Sequence, residues 1–207
     1  MDETHLKILL LGDSAVGKTS LLLRFTKNTF LDSHVTTMGI DCFEKKIKIN
    51  EKNVIIHLTD TSGQERFRSL SKNFYKNTDG IIFVFDLTNH ESFVNINDWL
   101  NEIKSYNDNF LYVIAGNKAD LQNTIQINEQ DIQENDIFKN IKYFQTSAKE
   151  NTNVDKTFIE LTDLILQKLL RQGSISSYEA SRSNSIRIMS FDGSNHRNRN
   201  KKKCCGN

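Results

Sequence analysis

The chain has 207 residues, of which 37% are hydrophobic and 26% charged, which suits one well-packed domain and excludes a wholly disordered chain. Residues 173–207 hold seven Lys or Arg against two acidic residues, a local charge of +5, whereas the preceding residues hold 20 against 24, or −4. A basic tail on a mildly acidic body predicts an anionic partner for the tail alone.

No run approaches the ~18–20 apolar residues that span a bilayer. The start of the chain, MDETHLK, lacks the basic and apolar regions of a signal peptide, and Asp2 stands where myristoylation requires glycine. We therefore expect a protein that is made and kept in a reducing cytosol, where a structural disulfide is disfavoured.

The first predicted strand runs directly into a phosphate-binding motif. LKILLLG (6–12) is a continuous apolar run, and GDSAVGKT (12–19) follows it and opens a helical pattern over 18–26. Its glycines let backbone N–H groups face a phosphate, Lys18 can reach the β- and γ-phosphates, and the Thr19 hydroxyl can ligate Mg²⁺. A chance glycine-rich turn is the alternative, and the motif alone does not separate ATP from GTP. The residues assigned here are Gly12, Asp13, Ser14, Ala15, Val16, Gly17, Lys18, Thr19 and Ser20.

Two alternating stretches come next, CFEKKIKI (42–49) and VIIHLTD (54–60). They predict half-covered strands that the turn NEKN (50–53) joins into an edge hairpin.

The second of these strands ends on DTSGQERF (60–67), ahead of a helical pattern over 65–76. Asp60 can hold Mg²⁺ through water, Gly63 can place its N–H on a γ-phosphate, and Gln64 can orient an attacking water. A turn before a charged helix would explain these residue types but not their order.

The second half alternates buried strands with helices, which predicts a parallel α/β sheet. IIFVFDL (81–87) and LYVIAG (111–116) are the apolar runs. Helical patterns fall at 91–106, about 128–135, and 153–171. The last places one apolar stripe on its helix, made of Val154, Phe158, Leu161, Ile165 and Leu169.

Two further motifs stand at predicted strand ends, where a doubly wound sheet binds ligands. NKAD (117–120) follows the strand 111–116, and TSAK (146–149) follows the apolar run IKYF. Asp120 can accept hydrogen bonds from a ring N–H and an exocyclic amine, a donor pair that guanine offers and adenine does not. Asn117 and Lys118 would brace the loop and cover the ring, and the Ala148 N–H could bind the base oxygen. The assigned residues are Asn117, Lys118, Asp120, Ser147, Ala148 and Lys149.

Together, GDSAVGKT, TTMGID, DTSGQE, NKAD and TSAK resemble a Ras-superfamily small GTPase, and GQERFRSL, SFVNINDWL and TSAKENTNV resemble the Rab family most closely. The resemblance covers about residues 6–170 and the C-terminus. It implies an α/β P-loop NTPase fold with a mostly parallel six-stranded sheet and five helices. It also implies that Phe30 lies against the guanine, with a core anchor as its alternative role, and that Thr37 completes the Mg²⁺ shell when GTP is bound.

The resemblance implies a GDP/GTP switch that regulates vesicle traffic by recruiting effectors to membranes in the GTP state. Lys18 would neutralise phosphate charge and Gln64 would place the water. The body offers no obvious arginine finger, so we expect slow intrinsic hydrolysis and an activating protein. The other expected partners are an exchange factor, a GDP-dissociation inhibitor or escort protein, and effectors, with the protein itself a monomer.

Several positions depart from the usual Rab pattern. Ser62 replaces a common alanine, and His34 replaces a common aromatic residue. An aromatic effector-binding cluster would correspond here to Cys42, Thr59 and Phe74, which removes much of a usual anchor for partners. Three further residues are expected to be structural and not functional. Trp99 is expected to pack in the core, His57 to be a surface or half-buried residue, and Cys42 to be a small apolar filler.

Two rival functions stay open at this point. A P-loop ATPase or small-molecule kinase would not need Asn117, Asp120 or the loop 146–149. A nucleotide-locked scaffold that has lost cycling would not need four intact residues, namely Thr19, Thr37, Asp60 and Gln64. A nucleic-acid role for the basic tail is weaker, because no interleaved aromatic residues accompany it.

The chain ends in KKKCCGN, beyond a region from Gly173 that is rich in Ser, Asn and Arg. We expect a GTP-binding domain over 1–172 and a flexible tail over 173–207. Two thiols cannot complete a zinc site, and the ending is not a C-a-a-X box. In a Rab-like chain it resembles a double geranylgeranylation signal on Cys204 and Cys205. That implies a lipid anchor on the cytoplasmic face of endomembranes or the plasma membrane, with cycling through the cytosol.

Overall fold

A computed structural model describes residues 3–32, 40–61 and 75–173, with the side chain of residue 40 left aside. Within them, six strands form one sheet in the order β2-β3-β1-β4-β5-β6. Only the β2–β3 pair is antiparallel, as the hairpin pattern predicted. The strands are β1 (Thr4–Leu11), β2 (Ile40–Ile49), β3 (Lys52–Thr61), β4 (Gly80–Asp86), β5 (Leu111–Asn117) and β6 (Tyr143–Gln145).

Helices cover both faces of this sheet, which gives three layers. In the described part of the chain they are α1 (Lys18–Lys27), α2 (His90–Val94), α3 (Ile96–Lys104), α4 (Glu129–Glu134) and α5 (Val154–Arg171). Two short 3₁₀ turns lie at Gln122–Thr124 and Asp136–Phe138. None of these helices is long and apolar enough to cross a membrane.

Two apolar cores form because the buried strands present side chains to both faces. Along β1, Leu6, Ile8 and Leu10 join the first core cluster, with α1 and α5, while Leu9 and Leu11 join the second, with α2 and α3. In the first core, the Phe25 and Phe158 rings stack with their centroids 4.1 Å apart. Each fully buried side chain of this size contributes about 1.5–3 kcal/mol to the stability of the fold. Because β1 supplies side chains to both cores, this apolar run is confirmed as a strand buried on two sides.

The edge hairpin forms as its sequence predicted. Asn50 and Glu51 have φ values of 48° and 65°, and Ile49 lies opposite Lys52. Positive φ at both central residues matches the twist of a two-residue hairpin turn. The other edge strand, β6, has three residues. Both edges of the sheet are therefore short or polar, since β2 presents Lys46 and Lys48 to solvent.

Two expectations need correction. The helix predicted over 91–106 is two helices that meet at Asn95, which is the C-cap of the first and the N-cap of the second. The Asn95 side chain bonds the Asp13 carboxylate. Cys42 is exposed on β2 and fills no core space, because the alternating pattern identifies two faces of a strand but not the covered one. Most of the helix predicted over 65–76 lies outside the described residues, although Tyr75 and Lys76 are helical.

Candidate functional site

The predicted motifs meet at one edge of the sheet. The loop 12–17 follows β1, Asp60 lies near the end of β3, Asn117 ends β5, and the loop 146–149 follows β6. These are the carboxyl ends of parallel strands, and β1 is the strand at which the connections change direction. Ligands of doubly wound sheets bind at such a switch point.

The loop 12–17 curls tightly against β4 and β5, and its two glycines make this approach feasible. Gly12 has φ 144°, and a Cβ there would lie 2.0 Å from the Val84 carbonyl oxygen. Gly17 has φ 97°, and its Cβ would lie 2.3 Å from the Asn117 Nδ2 atom. No larger residue fits either position, so the loop shape depends on both glycines.

Helix α1 begins at Lys18 with its first turn open. Gly17 is its N-cap, and among the described residues no side chain caps it and no acidic residue stands in the first turn. By contrast, α4 is closed by a capping box between Asn128 and Asp131. The N–H groups of a helix N-terminus and the positive end of the helix dipole make the α1 end suited to an anion.

The Lys18 ammonium lies inside the loop, with the residue only 5% exposed. Its Nζ donates to the carbonyl oxygens of Gly12, at 2.8 Å, and Asp13, at 2.6 Å. Burial lowers the pKa of Lys18 to about 8, against the attraction of the Asp60 and Asp13 carboxylates. The buried cation is thus held in place by the loop backbone, and an anion beside it would favour its charged form.

Thr19 and Asp60 come together although 41 positions separate them. The Thr19 hydroxyl donates to Oδ2 of Asp60 at 2.6 Å, and Asp60 is fully buried. A hydroxyl and a carboxylate are hard oxygen donors of the kind that Mg²⁺ prefers. Of the other assigned loop residues, Ser14 and Ala15 are exposed, Val16 is buried in the first core and Ser20 is half-buried.

The base-binding motif is tied to the phosphate loop. The Asn117 Nδ2 donates to the Val16 carbonyl at 2.9 Å, and Asn117 is 2% exposed. The Ser147 hydroxyl donates to Oδ1 of Asp120 at 2.6 Å and accepts from the Glu150 N–H. This leaves the Asp120 carboxylate fixed in orientation, as a selective acceptor requires.

Two residues that the sequence pattern did not identify hold these loops. Asp86 ends β4 and lies 2.5 Å from the Lys118 Nζ, with their side chains 9% and 26% exposed. Arg24 of α1 donates to the carbonyls of Ala148, at 2.8 Å, and Lys149, at 3.0 Å. The position of Asp86 at a strand end was a usable signal, whereas no local pattern assigned a role to Arg24.

Trp99 is a third residue whose contact with the phosphate loop was not predicted from the sequence. It is buried, as predicted, but its Nε1 also donates to Oδ1 of Asp13 at 2.8 Å. The Asn95 Nδ2 donates to the other oxygen of that carboxylate, also at 2.8 Å. Phe30 is half-buried and packs against the first core cluster, which agrees with its alternative role as a core anchor.

The remaining predicted site residues lie outside the described residues. They are Thr37, Gly63 and Gln64 of the catalytic and switch segments, the departures His34, Ser62 and Phe74, and the terminal Cys204 and Cys205.

Known proteins that resemble this chain include nucleotide-binding proteins, which agrees with a phosphate-binding site. The Ras family profile matches residues 7–167. GTP-binding protein YPTM1 of Zea mays is 37% identical over 183 residues, covering 88% of this chain and 87% of that protein. Ras-related protein Rab-27B of Homo sapiens is 40% identical, covering 79% and 81%. Ras-related protein Rab-3C of Mus musculus is 39% identical, covering 79% and 72%.

The family profile covers most of the described residues, and the relatives include proteins named for GTP binding and for Rab. Members of the Ras and Rab families bind guanine nucleotide and hydrolyse GTP to GDP. The chain belongs to the Ras family and is a Rab-type small GTPase, a molecular switch that binds and hydrolyses GTP.

Proposed function

We propose that this chain binds GDP and GTP in one continuous cleft formed by residues 12–20, 117–120 and 146–149. The hydrogen bond from the Asn117 side chain to the Val16 carbonyl carries this proposal, because it joins the base motif directly to the phosphate loop. Asp120 reads the guanine, with Ser147 fixing its carboxylate. Lys18 and the open end of α1 bind the phosphates.

Thr19 and Asp60 fit a Mg²⁺ site, since their oxygens lie side by side at the mouth of the phosphate loop. Bound there, Mg²⁺ would supply positive charge against the phosphate oxygens. By resemblance, Thr37 would complete the Mg²⁺ shell when GTP is bound, Gly63 would place its N–H on the γ-phosphate, and Gln64 would orient the attacking water. Lys18 stabilises charge on the transferred group.

Nucleotide competition on the purified full-length protein tests the site. We expect GDP and GTP to displace a fluorescent GDP analogue at concentrations at least about 100-fold below those of ATP, because adenine lacks the donor pair that Asp120 accepts. Equal competition by ATP would favour the ATPase or kinase alternative. Stable binding of GDP without measurable release, together with no measurable hydrolysis of bound GTP, would favour the locked scaffold.

Hydrolysis is tested separately with Gln64→Leu. Leucine cannot orient water, so we expect the GTP-bound state to last longer in single-turnover measurements, with and without an activating protein. Unchanged hydrolysis would remove Gln64 from the catalytic role while leaving nucleotide binding intact.

Membrane association is typical of Rab proteins, and regulation of vesicle traffic is their typical role. For this chain we propose a GTP-binding domain over 1–172 and a tail over 173–207, prenylated on Cys204 and Cys205. Five tail cations, Arg197, Arg199, Lys201, Lys202 and Lys203, would add about 1 kcal/mol each near an anionic leaflet.

The expected partners are an exchange factor, an activating protein, a GDP-dissociation inhibitor or escort protein, and effectors. Intact-mass analysis of the protein from its native cell should show two prenyl additions. An unmodified C-terminus there would overturn the anchor.

A further inference from the structure

The Asp13 carboxylate accepts hydrogen bonds from two side chains near the start of helix α3. The Asn95 Nδ2 bonds one oxygen and the Trp99 Nε1 bonds the other, each at 2.8 Å. Asn95 and Trp99 are four positions apart, and Asn95 is the N-cap of α3, so both side chains project toward the same point. Hydrogen bonds to an ionised group are about twice as strong as neutral ones.

Asp13 is also the residue whose carbonyl oxygen accepts the Lys18 ammonium at 2.6 Å. Its side chain therefore fixes a peptide group that directly contacts the phosphate-binding lysine. The same peptide group carries the N–H of Ser14, a residue that is exposed. Fixing this carboxylate sets the direction in which both groups point.

The other end of this contact is rigid. Trp99 is 3% exposed, and it packs in the second core cluster with Ile96, Leu100 and Ile103. Helix α3 therefore offers a fixed support, whereas the loop it holds is shaped by left-handed backbone at Ala15 and by the two glycines. A support fixed in the core preorganises the binding loop that it contacts.

We propose that Asn95 and Trp99 are positioning residues for nucleotide binding, which act through Asp13 to hold the phosphate loop in its binding shape. This inference rests on the proposed nucleotide site. It assigns to α3 a part in nucleotide retention, in addition to its packing against the sheet.

An exchange of side chains tests the contact between Asp13 and Asn95. Asp13→Asn turns one carboxylate oxygen into a donor that faces the Asn95 donor, while its remaining oxygen can still accept from Trp99. Asn95→Asp alone sets two carboxylates against each other. Together the two changes restore a donor opposite an acceptor. We expect either single change to speed GDP dissociation about 3- to 10-fold, and the double variant to return to within about twofold of the wild type.

Trp99→Phe tests the second donor, because it keeps a large ring in the core and removes the N–H. We expect GDP to dissociate about 3- to 10-fold faster. Asn97→Ala is the matched control, since Asn97 is exposed on the same helix and is expected to leave dissociation unchanged. A purely structural role would give Trp99→Phe a lower melting temperature with unaltered dissociation, which would contradict the proposal.

Trp99 is the chain's sole tryptophan, so the tryptophan emission of the protein comes from this position. We expect removal of GDP to change the emission of the wild-type protein and of Asn97→Ala, and to change it less in Asp13→Asn. Emission that is identical with and without GDP would contradict the coupling. If the wild type failed to bind GDP at all, the proposed function would fall instead, so the two failures are distinguishable. A double variant whose dissociation rate is the product of the single effects would overturn the proposal.

Discussion

The phosphate-binding end and the base-binding end of the cleft are built in different ways. The phosphate end is one continuous segment whose shape comes from backbone conformation, with positive φ at Gly12, Ala15 and Gly17. The base end is assembled from loops after β5 and β6, and side chains such as Ser147 and Asp86 hold it. The phosphate end should therefore set affinity for every nucleotide alike, whereas the base end should set which nucleotide is preferred.

The largest effect should come from Lys18→Ala at the phosphate end. The loss of a buried charge-assisted contact is expected to lower affinity for GDP and GTP about 100-fold or more. Xanthine and inosine nucleotides should weaken by the same factor, because the contact does not involve the base. Isothermal titration of each nucleotide measures this, with Lys27→Ala, in the exposed last turn of α1, as the control. A loss confined to guanine nucleotides would break the comparison.

Asp120→Asn should change which nucleotide the base end prefers, whereas Lys18→Ala weakens all nucleotides alike. The new amide replaces one acceptor by a donor, which suits the carbonyl that xanthine carries where guanine has an amine. We expect GDP affinity to fall about 10- to 100-fold and affinity for xanthosine diphosphate to rise by a similar factor. Competition assays on the same preparation measure both. Equal weakening of the two nucleotides would mean that Asp120 does not contact the base.

Asp86→Asn should loosen the base end without changing its preference. The substitution keeps an acceptor for the Thr88 N–H but sets an amide donor against the Lys118 ammonium. We expect GDP dissociation about 10- to 30-fold faster and a loss of about 1–3 kcal/mol of unfolding free energy.

Asp136→Asn is a matched control for that prediction. The Lys139–Asp136 pair has the same 2.5 Å separation, but its side chains are 60% and 89% exposed. Water screens such a pair, so the control should change neither dissociation nor stability measurably. Similar effects from both substitutions would show that burial of the Asp86 pair is irrelevant.

The smallest effect should be a pH dependence that belongs to the phosphate end. Burial lowers the pKa of Lys18 to about 8, and a bound phosphate favours its charged form, so binding raises that pKa. GDP affinity should then be constant below pH 7 and fall as the pH rises through 8, by about three- to fourfold between pH 7 and 8.5. Calorimetry in buffers of different ionisation enthalpy should detect proton uptake near pH 8. Proton release would reverse the sign and contradict the assignment.

The same difference explains what the sequence could predict. The phosphate loop is readable because glycine spacing, the lysine and the following helix are adjacent in the chain. The strands and their burial on two faces are also local patterns, and the structure confirmed them. The order of NKAD and TSAK behind that loop indicated guanine, although neither motif is specific alone.

The contacts that could not be predicted join residues that are far apart in the sequence. Arg24 meets Ala148 across 124 positions, and Trp99 meets Asp13 across 86. No periodic pattern records such pairs, because helical and strand repeats describe only a residue's own element. The division of the helix at Asn95 was not predicted either, and the Asn95 side chain likewise bonds a distant residue, Asp13. Cys42 was placed wrongly because the covering of an edge strand is decided by other elements.

The edges of the sheet carry a consequence for the protein at high concentration. With a formal net charge of only +1, copies of the chain repel one another weakly near neutral pH. An open sheet edge is then a hazard, because a second copy could extend the sheet by pairing with it. Lys46 and Lys48 place charged side chains on the edge strand β2, which disfavours such pairing, and β6 has only three residues to align a partner. Colloidal protection thus resides in the two edge strands and not in the overall charge.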